Sequence, residues 1–191
     1  MKQVTYKGLT FVPYLDREKI QNRVKELGSR ITEENKGRRP LFLCVLNGAF
    51  AFASDLFRSV DLPDAEISFI RLKSYEGTSS TGVVKEVIGL HEDIKDRTVI
   101  VVEDIVDTGH TITRLVKDLK AKDPAEVKVA TLLFKPESLQ TSFVPDYVGF
   151  NIPADFIIGY GLDLDGLARN LPDIWVLSPC LLYTSDAADE L

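Results

Sequence analysis

The sequence predicts an α/β fold, a central and mostly parallel sheet flanked by helices, on three observations. Leu41–Leu46 (LFLCVL), Val99–Val102 (VIVV) and Val127–Phe134 (VKVATLLF) are short, largely apolar runs, as expected for strands buried on both faces. Apolar residues at helical spacing separate them: Ile20, Val24, Leu27 and Ile31 before the first run, and Ile112, Leu115, Val116 and Leu119 between the second and third. Small polar turns containing glycine, Asn47-Gly48-Ala49 and Asp107–Thr111, follow two of the strands, where open α/β sheets carry their sites.

Composition narrows the class. The 191 residues suit one domain, and 45% hydrophobic with 27% charged residues is ordinary for a soluble globular protein. No apolar run is long enough to span a bilayer, and the mixed N-terminus MKQVTYKGLTF lacks a signal-peptide pattern, so the expectation is a cytoplasmic protein with no membrane partner. A net charge of −6 and a pI near 5.0 argue against nucleic acid as a partner. Residues 180–191 (CLLYTSDAADEL) read as the in-frame translation of a sequencing-library adapter, a non-native tail with the natural sequence ending near Pro179. Without that tail the net charge is −3 and Cys44, inside an apolar run, is the remaining cysteine, so no disulfide is expected. One domain over 1–179 is the resulting expectation.

In chain order, residues 1–14 lack periodicity and read as an extension or short strands. Asp16 is placed to cap the helix that carries the Ile20–Ile31 stripe, and Gly37 with Pro40 breaks the chain before Leu41. After Asn47-Gly48-Ala49 comes an apolar helix over Phe50–Phe57, and Glu66–Lys73 (EISFIRLK) reads as a strand. Ser74–Gly82 is small, polar and glycine-containing, a composition that cannot bury itself, and Val83–Ile88 reads as the returning arm of a ribbon. Lys135 and Pro136 end the strand 127–134, and Trp175–Leu177 reads as a closing strand.

The most informative stretch is Thr98–Leu115, TVIVVEDIVDTGHTITRL. Glu103 and Asp104 stand where the apolar strand is expected to end, and Asp107-Thr108-Gly109-His110-Thr111 forms the turn into a helix. Free N–H groups at a helix start and the helix dipole favour an anion; Gly109 permits close approach of the backbone, and Thr108 and Thr111 add hydroxyl donors. A phosphate fits. The two carboxylates cannot hold phosphate, so they call for sugar hydroxyls or Mg²⁺. Sugar beside phosphate describes a phosphoribosyl group. Asp-Thr-Gly also occurs in aspartic proteases, but those need an all-β context that the following helix contradicts.

VVEDIVDTGHT closely resembles the phosphoribosyl-pyrophosphate (PRPP) motif of the type I phosphoribosyltransferases, and the resemblance extends over Tyr6–Pro179. It implies the type I phosphoribosyltransferase fold, with a small hood built from the N-terminal segment and 136–179, and a flexible lid headed by Ser74 and Tyr75 that keeps water from the reaction centre. It also implies that Glu103, Asp104, Asp107, Thr108, Gly109, His110 and Thr111 bind PRPP, with Asp107 as general base at N7 of the purine. Leu46, Asn47 and Gly48, through a cis peptide at Leu46–Asn47, and Arg169 receive pyrophosphate. Mammalian relatives carry Lys at the position of Asn47, so backbone donation is what carries over there.

By the same resemblance, Lys135 donates to the C6 oxygen of an oxo-purine, Phe156 stacks on the base, Ile157 offers backbone contacts, and Asp163 adjoins the purine and a second Mg²⁺. Glu103, Asp104 and Asp163 are thus the implied Mg²⁺ ligands. The implied activity is that of a hypoxanthine or hypoxanthine-guanine phosphoribosyltransferase, a pentosyltransferase of purine salvage that forms IMP or GMP and pyrophosphate, and relatives form dimers or tetramers. The alternatives are an RNA-binding regulator on the same fold, which Lys135, Phe156 and the acidic balance oppose, and a transferase for another base such as xanthine.

Overall fold

The structure is a computed structural model that describes residues 2–73 and 85–178; the expected lid residues Ser74 and Tyr75 and the tail 180–191 lie outside them. The elements run β1 (Val4–Tyr6), β2 (Leu9–Leu15), α1 (Arg17–Glu34), β3 (Leu41–Leu46), α2 (Phe50–Ser59), β4 (Glu66–Lys73), β5 (Lys85–Ile88), β6 (Thr98–Val106), α3 (His110–Lys120), β7 (Glu126–Phe134), β8 (Tyr147–Asn151), β9 (Ile157–Ile158) and β10 (Ile174–Leu177). A 3₁₀ turn at Pro136–Ser138 follows β7, where Pro136 stops the strand.

Among the described residues the main sheet has the order β5-β4-β3-β6-β7-β8. Strands β4, β3, β6, β7 and β8 pair in parallel, and β5 runs antiparallel to β4. Alternation along β3 and β6 feeds two cores. Phe42, Cys44, Ile100 and Val102 pack with α1 and α2, whereas Leu41, Leu43, Val99 and Val101 pack with Ile112, Leu115 and Leu119 of α3. With helices on both faces, these strands have no polar side to show, which is why they read as continuous apolar runs.

Helix α1 starts at the expected cap, where Asp16 accepts from the Lys19 N–H at 2.7 Å. Such a cap is worth about 1 kcal/mol, against roughly 1.5–3 kcal/mol for each of the buried side chains Ile20, Val24, Leu27 and Ile31. Packing of the stripe therefore dominates the helix, and the cap sets its first residue.

A second, antiparallel sheet, β1-β2-β10-β9, joins the two ends of the described chain around Phe11, Ile158, Ala168 and Trp175. This is the hood, and it takes less of the chain after Lys135 than expected. Strand β8 pairs in parallel with β7 (Ala130↔Tyr147, Phe134↔Asn151) and belongs to the main sheet, because its inward residue Tyr147 completes the core under α1. Among the described residues no helix is long and apolar enough to cross a membrane.

Candidate active site

Strand β6 extends beyond the point at which the acids were expected to end it. Its pairing with β3 ends at Cys44↔Val102, but its pairing with β7 continues through Glu103↔Thr131, Ile105↔Leu133 and Val106↔Phe134. One ladder keeps the strand extended while the other stops, although β3 itself runs on along β4 to Leu46↔Arg71 before the chain leaves it through a cis Leu46–Asn47 peptide and turns into α2. The β3-facing edge of Glu103–Val106 is thereby opened. From β3 the chain proceeds toward β4 on one side, and from β6 toward β7 on the other. This reversal of strand order is where α/β sheets form a crevice.

Successive strand residues point to opposite faces, so the two acids diverge. Asp104 lies against Gly48, where a Cβ would sit 1.6 Å from Asp104 Oδ2, and its Oδ1 accepts from the Ile105 N–H at 2.9 Å. Glu103 Oε2 is buried with no hydrogen-bond partner among the described residues. Both acids line one cleft of about 170 Å³ with Leu46, Gly48, Leu72 and Thr111. Burial, aided by the Asp104 charge, pushes the Glu103 pKa well above the usual carboxylate range. Burial also raises Asp104 to about 6, with Asp163 adding to the rise and backbone N–H groups and Arg169 opposing it. The same burial and the same two acids push the Cys44 thiol up to about 12, so this cysteine is an inert core residue.

Two desolvated carboxylates, one with an orphaned oxygen, fit a hard divalent cation. Among the described residues no cluster of three or more His, Cys, Asp or Glu could hold a metal by itself. Mg²⁺ is usually held by one or two carboxylates together with water and substrate phosphates.

The raised acids set a pH dependence. Between about 3.8 and about 6 the folded chain holds more of the Asp104 proton than the unfolded chain, so stability falls as pH rises through that window and levels off above it for this group. The difference between wild-type and Asp104→Asn thermal melts across this range should show the decline, since Glu34, Glu66 and Glu92, whose pKa values are lowered, act in the opposite sense in both proteins. Mg²⁺ should oppose it; an Asp104→Asn slope equal to wild type would remove the attribution.

The turn after β6 is clasped from outside. Gly109 has φ +83° and caps α3 without a side chain. It was expected to admit a ligand to the backbone, but it is buried, and a Cβ there would lie 2.5 Å from Thr141 Oγ1 and 2.7 Å from Leu139 Cδ1. The glycine is thus required by its backbone conformation and by packing of the 139–141 segment. Gln140 N–H donates to Thr108 O at 2.9 Å, and Gln140 Oε1 meets His110 Nε2 at 3.0 Å. Thr108 is half-buried, and His110 and Thr111 are exposed. The first N–H groups of α3 have no intrahelical acceptor, which together with the helix dipole suits an anion.

Asp107 and Lys135 meet at 3.2 Å. Lys135 is 7% exposed, so it is a buried cation at a strand end rather than surface decoration, whereas the Asp107 side chain is 47% exposed and open to a ligand. From the hood, Asp163 Oδ1 pairs with Arg169 Nη2 at 2.7 Å and Oδ2 accepts from the Gly166 N–H at 2.6 Å. Phe156 is 44% exposed, its ring 6.1 Å from that of Phe11, and Ile157 is buried in β9. An exposed aromatic ring supported from behind can stack on a planar ligand.

Sequence reasoning missed the contact that joins hood to sheet. A Cβ on Gly161 would lie 2.1 Å from Gly48 O, and Arg169 Nη1 donates to Gly161 O at 2.6 Å. The Gly159-Tyr160-Gly161 run signals a turn but not the place it packs. The clasp by Gln140 and Thr141 has no sequence signal of its own.

The model of the phosphoribosyl transferase domain family matches residues 13–165. The chain belongs to the phosphoribosyltransferase family. Among relatives of this phosphoribosyltransferase, the hypoxanthine-guanine phosphoribosyltransferase of Lactococcus lactis is 41% identical over 166 residues, which is 86% of this chain and 90% of that protein. The bifunctional protein TilS/HprT of Listeria monocytogenes is also 41% identical over 166 residues, and the phosphoribosyltransferase described here spans 26% of its length. The solved structure of a hypoxanthine phosphoribosyltransferase from Staphylococcus aureus is similar at a TM-score of 0.83 and 37% identity, with 88% of this chain and 91% of that chain covered.

Proposed function

We propose that this phosphoribosyltransferase moves the 5-phosphoribosyl group of PRPP to N9 of hypoxanthine, and of guanine, in purine salvage. The observation that carries this reading is the Asp107–Lys135 pair, a carboxylate open to ligand on a buried ammonium at the mouth of the β6 turn. An ammonium has three donors. One faces Asp107, leaving others for the C6 oxygen of an oxo-purine; the amino group of adenine would oppose it donor to donor. Phe156 stacks on the base, and Ile157 contacts its edge through the backbone.

The 5-phosphate rests on Asp107–Thr111, and Glu103 and Asp104 hold the ribose hydroxyls directly or through Mg²⁺. Glu103 and Asp104 would hold Mg²⁺ there, and its charge would offset that of the leaving diphosphate. Asp163 keeps a lone pair on each oxygen for a second ion beside its contacts to Arg169 and Gly166. As the C1–O bond to diphosphate breaks and N9 bonds to C1, Asp107 takes the proton from N7. Leu46, Asn47 and Gly48 donate through the backbone, and Arg169 through its guanidinium, to the departing diphosphate. A cytoplasmic homo-oligomer, dimeric or tetrameric, is part of the same reading.

Incubation with PRPP, Mg²⁺ and each purine, with nucleotide formation read by absorbance, tests the proposal. Hypoxanthine and guanine are the expected substrates. Adenine as the best substrate would remove the role given to Lys135, and no turnover of any purine would remove the reaction.

A further inference from the structure

Tyr160 stands at the joint between hood and sheet in a conformation that disfavours any residue with a Cβ. Gly159, Tyr160 and Gly161 all have positive φ, at +96°, +50° and +104°. A glycine at the middle position would suit the backbone better, so the tyrosine side chain must contribute something a glycine cannot. Its ring is buried in the core beneath α1 and α2, and its hydroxyl donates to Asp55 Oδ2 at 2.7 Å. Arg58 Nη2 donates to the other Asp55 oxygen at 2.8 Å, which orients the carboxylate. Burial, then the bond to Asp55, raises the Tyr160 pKa, so the hydroxyl remains a proton donor.

Asp55 belongs to α2, the helix that begins directly after the Leu46–Gly48 turn. On the other side of Tyr160, Gly161 packs on Gly48 O and accepts from Arg169 Nη1, and Arg169 Nη2 holds Asp163. A continuous set of contacts therefore runs from α2 through Tyr160 to the Arg169 guanidinium.

We propose that Tyr160, through Asp55, is the positioning residue that registers Arg169 against the Leu46–Gly48 turn and thereby sets affinity for diphosphate; this rests on the reading of Arg169 as a diphosphate-binding residue. The hydroxyl touches no substrate. It links the hood-borne cation to the helix that carries the turn, so that both halves of the diphosphate site move as one body.

Calorimetric titration of inorganic diphosphate in Mg²⁺ buffer into wild type, Tyr160→Phe, Asp55→Asn and Arg169→Gln tests this. Tyr160→Phe is expected to weaken diphosphate about tenfold with the KM for hypoxanthine little changed, while the lost hydrogen bond to a charged group lowers Tm by several degrees. Asp55→Asn, which still offers an acceptor oxygen, should retain wild-type affinity. If Arg169→Gln weakens diphosphate and Tyr160→Phe does not, the positioning role is overturned while the reading of Arg169 stands. If Arg169→Gln binds diphosphate as wild type does, that reading falls and the proposal with it. Equal loss of diphosphate and hypoxanthine affinity in Tyr160→Phe would mark a merely structural residue and also overturn it.

Discussion

Asp107→Ala is expected to lower turnover by about 10²–10⁴, the span typical of a positioned acid or base. In the proposed reaction the half-exposed carboxylate would meet the purine, while Lys135 pairs with it at 3.2 Å. A free carboxylate is a weak base at neutral pH, so much of its benefit is electrostatic, favouring positive charge that develops as the C1–O bond breaks. Alanine also strips Lys135 of its carboxylate partner. Removing one member of a fully buried ion pair costs about 3–5 kcal/mol, but Asp107 is half exposed, and solvent screening reduces that sharply. Asp107→Asn separates the two effects, since the amide keeps an acceptor for Lys135 and lacks the basicity. Steady-state assays of both variants with hypoxanthine should show similar losses, with Tm preserved in Asp107→Asn. Near wild-type turnover in Asp107→Asn would remove the base assignment.

Gly161→Ala should produce a large loss of stability for a single methyl addition. The new Cβ would lie 2.1 Å from Gly48 O, a backbone atom that cannot swing aside, and φ is +104°. Overpacking costs about 1–3 kcal/mol and the backbone conformation of order 1–3 kcal/mol more. At about 2–4 °C per kcal/mol for a chain of this size, Tm should fall by roughly 5–20 °C. Relief by separation of the hood from the turn would also remove Arg169 from Gly48, so activity should fall in the variant that still folds. Gly8→Ala is the control, because φ there is +78° but nothing lies within 4 Å of its Cβ position. Scanning calorimetry should place the Gly161→Ala melt well below that of Gly8→Ala; coincident melts would mean that the close approach of hood loop and turn does not constrain the fold.

The elements legible in the sequence were those whose side chains all face one kind of surroundings. Leu41–Leu46 and Glu66–Lys73 have the predicted bounds, since a strand buried on both faces or set between turns leaves a contiguous signal. The end of β6 was misjudged because Glu103 and Asp104 look like a solvated terminus, and only the continuing ladder to β7 keeps them extended. Strand β8 was assigned to the hood because nothing in YVGFN says which sheet it joins. Gly109 was singled out for close approach of its backbone, and its packing on Leu139 and Thr141, from a segment about 30 residues away, leaves no signal in the sequence.

The order of residues along the chain determined the α/β class, the strand and helix identities and the phosphoribosyl motif, because each rests on periodicity or on groups within a dozen positions of one another. Tertiary structure alone decided that Glu103 Oε2 is buried with no hydrogen-bond partner among the described residues, that Lys135 is buried on Asp107, and that Gly161 seats on Gly48. Desolvation and close approach belong to space, and they arise only where strand order reverses and a second sheet closes over the opening.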